Sequence, residues 1–450
     1  MDLLLAADDC SLGGHTCFML GLAEGLSRRG HRVRSFFFQD AGFLSAYSRR
    51  CETVLGDVDD LRELLAQGDL DVVHGDSCML DLPAVLRDRT SRTRLVITRH
   101  AWNAPMGWLR ENCDSFTAVS ESSAALCRPY TDHSVTVVPN GVDVDTMRPL
   151  EGPTPERPVI AWCGRSGDPV KDWARFVSAT WHLSQEFDFR VADATPPESM
   201  ERGGREGAGH VAVRRRFERE ELPAFFSEVA RSGGALLCTS RAEGMPLALL
   251  EAMACGCPVL GPDVRGVRDV LHGPLRRWIY PADATDLEVA AFVRDAVQEL
   301  ADPALRQQFR DHVVRNHCLE RMVERYEALY RSVRVGHAET TFSPADVAAR
   351  LWDFAAEVCR EGRAREATFA ARAAVRLSPG SLLRPERVLL AAACGSASRL
   401  RGARYFLGRA QEKFGSQEYR EGIRHLAHAC RLHPGALFSP ESPLRLWGRV

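Results

Sequence analysis

Lysine and long apolar runs are both scarce in this chain of 450 residues. Only Lys171 and Lys413 stand beside 56 arginines. No apolar run approaches the roughly 18 residues that a membrane-spanning helix needs, so we expect no span. The start at Met1 and Asp2 lacks a basic segment, and the apolar run at 3–7 is too short for a signal peptide. We therefore expect a cytoplasmic protein and leave open a peripheral attachment to the inner membrane surface.

Charge and cysteine usage exclude further classes. The net charge of −2 gives the whole chain no preference for nucleic acid. The 14 cysteines are scattered and lie mostly in apolar segments, which favours reduced thiols over a disulfide framework. The loop S-L-G-G-H at 11–15 lacks the pattern G-x-G-x-x-G, which disfavours a dinucleotide dehydrogenase. The length allows two or three domains with ample cores.

Short apolar runs alternate with amphipathic segments along the first three quarters of the chain. A helix is predicted over 14–29, where Phe18, Leu22 and Leu26 share one face. The predicted strands of the first half are 2–7, 32–38, 70–74, 94–98, 115–120 and 135–138. Strands that alternate with helices predict an α/β protein with a parallel sheet. The turn at Asn140-Gly141 and a linker at 150–158 precede a further strand at 158–163.

The stretch 234–271 is the most informative part of the sequence. A buried strand at 234–238 is followed by a turn at Glu243-Gly244, a helix that Gly256 ends, and another strand at 257–260. Pro246 suits the first turn of that helix. The N–H groups at a helix N-terminus bind anions, so a phosphorylated ligand is expected beside Gly244 and Met245.

The sequence at 243–259, E-G-M-P-L-A-L-L-E-A-M-A-C-G-C-P-V, resembles the Glu-x7-Glu signature of family 4 glycosyltransferases. These are retaining enzymes of the two-lobed B-type fold that use nucleotide-sugar donors. The resemblance implies that Glu243 lies against the donor sugar as a catalytic residue and that Glu251 hydrogen-bonds the ribose. It also implies that the residues after Glu243 line the donor site: Gly244, Met245, Pro246 and Leu247.

Two further pairs of residues match the family. Arg165 and Lys171 match its basic pair, which neutralises the donor diphosphate without a metal, so we expect no metal and no cofactor at the site. A compact ammonium can sit between phosphate oxygens, whereas a guanidinium is a planar fork. This agrees with a lysine at this position in a chain that otherwise uses arginine. Gly13 and Gly14 resemble the paired-glycine loop near the donor phosphates, although a simple tight turn is the alternative for this pair.

Two histidines stand at the ends of predicted strands. His100 matches the family histidine that contacts the donor sugar or the acceptor, and we treat it as a catalytic candidate. His74 ends the strand at 70–74. A lone histidine at a strand end is more often a satisfied polar residue, so we favour a structural role for His74.

The sequence also departs from the family pattern. Asp172 follows Lys171 where the family usually has glycine, and residues 189–195 lack the glycine pair of the next strand and loop. Residues 196–209 are rich in Gly, Glu and Arg and predict a mobile loop. These departures leave the preferred base and sugar open.

The resemblance ends near residue 333, after a helix at 319–333 that closes this fold by returning to the first lobe. In residues 334–450 the phrase A-V-R-L-S-P-G-S-L at 374–382 recurs as A-C-R-L-H-P-G-A-L at 429–437, which predicts tetratricopeptide-like helix pairs. Residues 345–450 carry a net charge of +8. They are either a solvated arginine-rich face or a docking surface for an acidic partner, the acceptor or a second copy of the chain.

Together these features predict two Rossmann-like lobes and an all-α repeat extension. The acceptor-side lobe spans 1–150, the donor lobe 151–333 and the extension 334–450. We expect transfer of a sugar from a nucleotide-diphosphate sugar to an unidentified acceptor, which is a small molecule, a glycan, a lipid-linked sugar or a protein.

Three alternatives remain. The same fold serves nucleotide-sugar epimerases and phosphorylases, although a phosphorylase needs a lysine-bound cofactor and only Lys413 is left for it. The chain could instead be a non-catalytic scaffold that acts through its tail.

His425, His428 and Cys430 share one predicted helix but lack the partner cluster that a metal site needs.

Overall fold

The computed structural model describes most of the first three quarters of the chain. The described residues are 1–67, 69–76, 92–100, 113–127, 134–194, 211–215 and 219–334, with isolated positions between 345 and 378. The predicted loop at 196–209 lies outside this set, as do His425, His428 and Cys430. Apart from isolated residues of the first copy, the predicted repeats also lie outside it.

Seven parallel strands form the first sheet, in the order β3-β2-β1-β4-β5-β6-β7. They are β1 (Asp2–Cys10), β2 (Arg32–Asp40), β3 (Glu52–Leu55), β4 (Val72–Asp76), β5 (Arg94–Arg99), β6 (Ser115–Ala118) and β7 (Val135–Val137). The central strand β1 is buried almost throughout, because a parallel sheet is covered by helices on both faces. Its four described helices are α1 (Gly14–Arg28), α2 (Leu44–Ser48), α3 (Val58–Ala66) and α4 (Glu121–Cys127).

Six parallel strands form the second sheet, in the order β10-β9-β8-β11-β12-β13. They are β8 (Val159–Gly164), β9 (Asp188–Asp193), β10 (Ala212–Arg215), β11 (Ala235–Leu237), β12 (Val259–Pro262) and β13 (Ile279–Tyr280). The helices after β8 are α5 (Trp173–Trp181), α6 (Leu222–Arg231), α7 (Leu247–Ala254), α8 (Val267–Val270), α9 (Asp286–Glu299) and α10 (Pro303–Asn316). Two parallel sheets with helices between their strands match the glycosyltransferase B-type fold.

The last long helix, α11 (Leu319–Ser332), returns to the first lobe. Its Glu327 Oε2 accepts a hydrogen bond of 2.6 Å from Arg29 Nε at the end of α1. Just beyond the helix, the carbonyl of Val333 accepts one of 2.8 Å from Arg94 Nε of β5. The predicted helix at 319–333 is therefore present. It returns from the second lobe, and this segment contacts α1 and β5 of the first lobe.

The structure adds several elements and moves several ends. The predicted strands recur within one to three residues. Later elements such as β10, β13, α6, α9 and α10 were not predicted, and neither were α2, β3 and α3 between residues 44 and 66. In this segment α3 begins at a capping box, in which the Asp57 side chain accepts from the Asp60 N–H and the Asp60 side chain accepts from the Asp57 N–H. No helix in the described part of the chain has the length and apolar character that a bilayer crossing requires.

Candidate active site

The loops at the carboxyl ends of the strands bring the candidate residues together. Both sheets reverse their strand order at one place, between β1 and β4 in the first and between β8 and β11 in the second. Ligands of open parallel sheets bind in the crevice outside such a switch point. Lys171 and Glu243 lie in the segments that follow β8 and β11, Gly14 begins α1 after β1, and His100 directly follows β5 on the same side.

Lys171 and Glu243 form the central contact of the site. Lys171 Nζ lies 2.5 Å from Glu243 Oε1, and the two side chains are 23% and 12% exposed. Ser240 Oγ donates a second hydrogen bond of 2.6 Å to the same carboxylate oxygen. Burial acts to lower the pKa of Lys171, but Glu243 outweighs it, so the net pKa is raised and the ammonium stays charged.

Neighbouring elements fix the position of Lys171. It ends a 3-10 helix, Pro169–Lys171, and its backbone carbonyl accepts a hydrogen bond of 2.9 Å from Thr239 Oγ1. Trp162 Nε1 of β8 donates to the same Thr239 oxygen over 3.2 Å. Lys171 is therefore tied to the ends of β8 and β11 at once, which aims its side chain at Glu243.

Arg165 lies at the other end of the same loop and is more exposed. Its Nη2 is 3.2 Å from Asp168 Oδ2, and its guanidinium side chain is 42% exposed. The loop is anchored because Ser166 Oγ donates a hydrogen bond of 2.6 Å to Asp193 at the end of β9. A Cβ atom on Gly13 would lie 3.4 Å from Arg165 Nη1, so this cation reaches across to the glycine loop of the first lobe.

The turn before α7 places backbone N–H groups at the same crevice. Pro246 occupies the N-cap position, and the helix starts at Leu247, one residue later than predicted. No side chain caps this end, so N–H groups of the first turn remain available to an anion. The Met245 carbonyl accepts a hydrogen bond of 2.8 Å from Asn140 Nδ2, which ties the turn to the junction of the lobes.

Gly244 sits where the two lobes come closest. A Cβ atom there would lie 1.9 Å from the carbonyl oxygen of His100, so only glycine fits. The Gly244 carbonyl also accepts a hydrogen bond of 2.8 Å from Ser120 Oγ of the first lobe. Glycine at this position thus permits the contact that brings His100 beside the Glu243 loop.

Glu251 is buried one turn further along α7. Arg219 Nη2 lies 2.8 Å from Glu251 Oε1, at ion-pair distance but without hydrogen-bond alignment. Arg219 begins a short 3-10 helix, Arg219–Glu221, and its guanidinium also faces Cys17 of α1. Burial raises the pKa of the Cys17 thiol, and the Arg219 charge opposes that rise. Because Glu251 Oε1 receives no hydrogen bond among the described residues, it can still accept one from a ligand.

The two histidines differ in their surroundings. His100 is partly exposed, and its ring packs edge-on against Phe18 at 4.4 Å. Burial lowers the pKa of His100 to about 4, against the opposing charge of Asp76, so its ring is neutral at pH 7. His74 is buried, and its ring nitrogens lie 2.5 Å from Tyr330 Oη and 2.6 Å from Thr98 Oγ1. The satisfied contacts give His74 the structural role favoured from the sequence.

Gly14 is the first residue of α1, and the region beside it is open. A Cβ atom on Gly14 would meet nothing within 4 Å. The helix has Gly13 as its N-cap and no capping side chain, so its first N–H groups can face a ligand. The fold itself therefore does not require glycine at this position.

Several supporting residues were not identified from the sequence. Ser240 contacts Glu243, as described above, and Arg219 contacts Glu251. Gly266 supports the other side of Glu243: its φ is +77°, and a Cβ atom there would lie 2.5 Å from the Glu243 carbonyl oxygen. Of these residues, only Ser240 had a signal in the sequence, since the polar run Thr239-Ser240 ends a predicted strand. Arg219 and Gly266 had none, because they reach the site from other loops.

One histidine cluster among the described residues has the geometry of a metal site. His272, His312 and His317 each place one ring nitrogen within 4.8 Å of the other two. These residues lie beyond the Glu243 loop: His272 precedes α10, His312 lies within it and His317 directly follows it. They were not expected from the sequence, because 40 residues separate His272 from His312.

Comparisons with known proteins agree with the geometry. The model described as Glycosyltransferase Family 4 matches residues 12–146, and the model described as Glycosyl transferases group 1 matches residues 157–302. Phosphatidyl-myo-inositol mannosyltransferase of Mycobacterium tuberculosis is 26% identical over 265 residues, which cover 55% of this chain and 69% of that protein. N-acetyl-alpha-D-glucosaminyl L-malate synthase of Bacillus anthracis is 31% identical over 112 residues, 24% of this chain and 28% of that protein.

Solved structures show the same fold at low identity. Anabaena Alr3699/HepE in complex with UDP-glucose aligns with a TM-score of 0.62 and 14% identity, covering 74% of this chain and all of that one (100%). Sucrose-phosphate synthase of Thermosynechococcus elongatus aligns with a TM-score of 0.60 and 19% identity, covering 73% of this chain and 98% of that one. The two family models together span more than half of the sequence, and the chain belongs to the family 4 glycosyltransferases.

Proposed function

We propose that this glycosyltransferase moves a sugar from a nucleotide-diphosphate sugar, bound between the lobes, to an acceptor hydroxyl with retention of the anomeric configuration. The observation that carries the proposal is the Lys171–Glu243 contact of 2.5 Å at the crevice end of the second sheet. It joins a cation suited to a diphosphate to a carboxylate suited to sugar hydroxyls. Similarity to a structure that holds UDP-glucose supports a donor of this class.

Each side chain has a distinct task in this reaction. The bond between the sugar C1 and the phosphate oxygen breaks, an acceptor oxygen bonds to C1, and the departing diphosphate takes up the acceptor proton. Lys171, Arg165 and the first N–H groups of α7 stabilise the charge that grows on the diphosphate. Glu243 and the neutral ring of His100 position the sugar, and Glu251 holds the ribose.

No metal is needed in this scheme, because Lys171 and Arg165 supply the positive charge. Donor turnover by a His272→Ala variant is expected to persist in excess chelator. That variant removes one member of the histidine cluster and thereby separates the reaction from any ion bound there. Turnover lost to chelator and restored by a divalent ion in this variant would contradict metal independence.

The acceptor, the acceptor and donor sides of the lobes, and the role of residues 334–450 are also proposals. Two relatives are named for different acceptors, a phosphatidylinositol and malate, so similarity selects no acceptor. We assign the acceptor side to the first lobe and the donor side to the second, and we keep residues 334–450 as a repeat extension for acceptor or partner docking. We propose a cytoplasmic location, because the cysteines are scattered and lie mostly in apolar segments, as is usual for reduced thiols.

A screen of nucleotide sugars by thermal shift tests the donor. A donor at 100 times its Kd stabilises the folded state by about 2.7 kcal/mol, which gives a clear rise in Tm. The best donor should then be hydrolysed slowly, and NMR should show the released sugar first in the donor's anomeric form. An inverted first product would contradict retention. The absence of both stabilisation and hydrolysis across the panel would favour the scaffold alternative.

A further inference from the structure

Three imidazole rings meet on the second lobe, outside the donor crevice residues. The ring centroids of His272 and His312 are 4.5 Å apart, and those of His312 and His317 are 5.4 Å apart. One nitrogen of each ring lies within 4.8 Å of the other two. His272 is exposed, whereas His312 and His317 are only 7% and 4% exposed.

The buried rings lack the partners that buried polar groups normally have. No hydrogen bond of normal geometry reaches Nε2 of His312 or either ring nitrogen of His317 among the described residues, although the backbone of Val270 lies near His312 and that of Asn140 near His317. Buried polar groups normally have well-aligned hydrogen-bond partners, so poorly partnered ring nitrogens point to a missing ligand.

We propose that His272, His312 and His317 bind a divalent transition metal, with Zn²⁺ the expected ion. Neutral imidazoles suit zinc, and three protein ligands leave the fourth tetrahedral position for water. Zinc–nitrogen bonds of about 2.0–2.1 Å place ligand nitrogens about 3.3 Å apart, so the cluster must close slightly. Exposed His272 can make this adjustment, and it gives the ion a path from solvent.

The position of the cluster suggests what the ion does. His272 follows α8, whose preceding residue Gly266 supports Glu243. His317 ends α10, and its carbonyl accepts a hydrogen bond of 2.8 Å from the Val142 N–H at the junction of the lobes. A bound ion would therefore tie the segment after the donor loop to the point where the chain passes between lobes.

Two cations lie near the cluster, Arg315 beside His312 and Arg325 beside His317. Both oppose a dication through space, but neither is part of the histidine cluster. The expected ion is thus a stabilising clamp on the second lobe rather than a participant in sugar transfer.

Metal titration of the tag-free full chain tests the proposal. After dialysis against chelator, Zn²⁺ should bind with one-to-one stoichiometry by calorimetry and raise the Tm, and Co²⁺ should give the visible absorption of a four-coordinate ion. His272→Ala should weaken Zn²⁺ binding at least tenfold and abolish the Tm rise. Its metal-free Tm should stay that of the wild type, because His272 is exposed.

His182→Ala is the matched control, since His182 is an exposed histidine at the C-terminal end of α5. This variant should bind Zn²⁺ as the wild type does. Equal Zn²⁺ binding by His272→Ala and the wild type would place the metal elsewhere and overturn the proposal. The absence of one-to-one binding by the wild type would overturn it as well.

Discussion

Two cations, each paired with a carboxylate, set the electrostatics of the donor crevice. The ammonium of Lys171 touches the carboxylate of Glu243, and the guanidinium of Arg165 is held aside by Asp168. A diphosphate that entered would add negative charge beside both cations, while Glu243 would turn its acceptor capacity to the sugar. A compact ammonium fits between phosphate oxygens better than a planar guanidinium. This explains why a chain with 56 arginines keeps one of its two lysines here.

The two glycines of the crevice give different predictions for stability. Gly244→Ala should lower both Tm and turnover, because its Cβ would lie 1.9 Å from the His100 carbonyl oxygen and the backbones must separate. Overpacking of this kind costs about 1–3 kcal/mol. Gly14→Ala meets no atom within 4 Å, so its Tm should not fall.

Turnover of Gly14→Ala should nevertheless decrease, since the methyl group occupies the approach to the first N–H groups of α1. Thermal unfolding and donor hydrolysis of both variants check the pair. Wild-type turnover in Gly14→Ala would remove Gly14 from the site. A wild-type Tm in Gly244→Ala would contradict the close approach of the lobes.

At the scale of elements, the junction between the Lys171 turn and α5 explains a departure from the family pattern. Asp172 has φ +48°, the left-handed region, and is the one non-glycine residue with positive φ in the described part of the chain. Glycine adopts this conformation without strain, which accounts for the residue usual in the family. Asp172 is tolerated because aspartate enters this region more readily than most residues. Its carboxylate also accepts a hydrogen bond of 2.9 Å from Arg241 Nε.

Substitution of Asp172 should separate strain from pairing. Asp172→Ala keeps the left-handed conformation, at a cost of about 1–2 kcal/mol, and loses the pair with Arg241. Asp172→Gly also loses that exposed pair, which is worth at most about 1 kcal/mol, but relieves the strain. Urea unfolding should therefore rank Asp172→Gly above Asp172→Ala in stability. An alanine variant as stable as the glycine variant would refute the strain.

Elements with strong local signals could be predicted from the sequence, and those without could not. The strand β1 and the helix α1 were predicted because apolar runs and glycines mark them within a few residues. In contrast, β3 is half-exposed and lies at the sheet edge, so it shows no continuous apolar run. In the site, Lys171 and Glu243 were predicted through the resemblance. Arg219 and Gly266 were not, because their roles depend on contacts between distant loops.

At the scale of the whole molecule, the chain crosses between lobes twice at one place. The Val142 N–H donates to the His317 carbonyl, and the Leu319 N–H donates to the Val142 carbonyl over 2.9 Å. From there α11 runs back onto the first sheet, where Tyr330 contacts His74. His74, Thr98 and Tyr330 thus form a buried polar network between the first sheet and α11.

This network makes stability depend on pH. Burial lowers the folded pKa of His74 to about 3, below its unfolded value of about 6.5. The neutral ring therefore contributes stability that is present above pH 6.5 and is lost as the pH falls toward 3. At pH 5 the loss is about 2 kcal/mol, from 1.4 kcal/mol for each unit below 6.5.

The variant His74→Gln keeps a donor and an acceptor but does not titrate, so its free energy of unfolding should fall less between pH 7.5 and 5. Urea unfolding at the two pH values measures the difference. The exposed His182→Gln should behave as the wild type. An equal loss in His74→Gln and the wild type would show that His74 does not carry this dependence.

Donor turnover of Lys171→Ala compared with Glu251→Ala tests the central claim most directly. Lys171 stabilises charge that grows as the diphosphate leaves, so its loss should lower the turnover rate at saturating donor more than it lowers donor affinity. Glu251 binds a ribose that does not react, so its loss should appear mainly in donor affinity. Charge-assisted hydrogen bonds are worth about 1.5–3 kcal/mol, roughly tenfold to over a hundredfold. Lys171→Arg should recover part of the rate. Wild-type turnover in Lys171→Ala would contradict the account, because the diphosphate would then lie elsewhere.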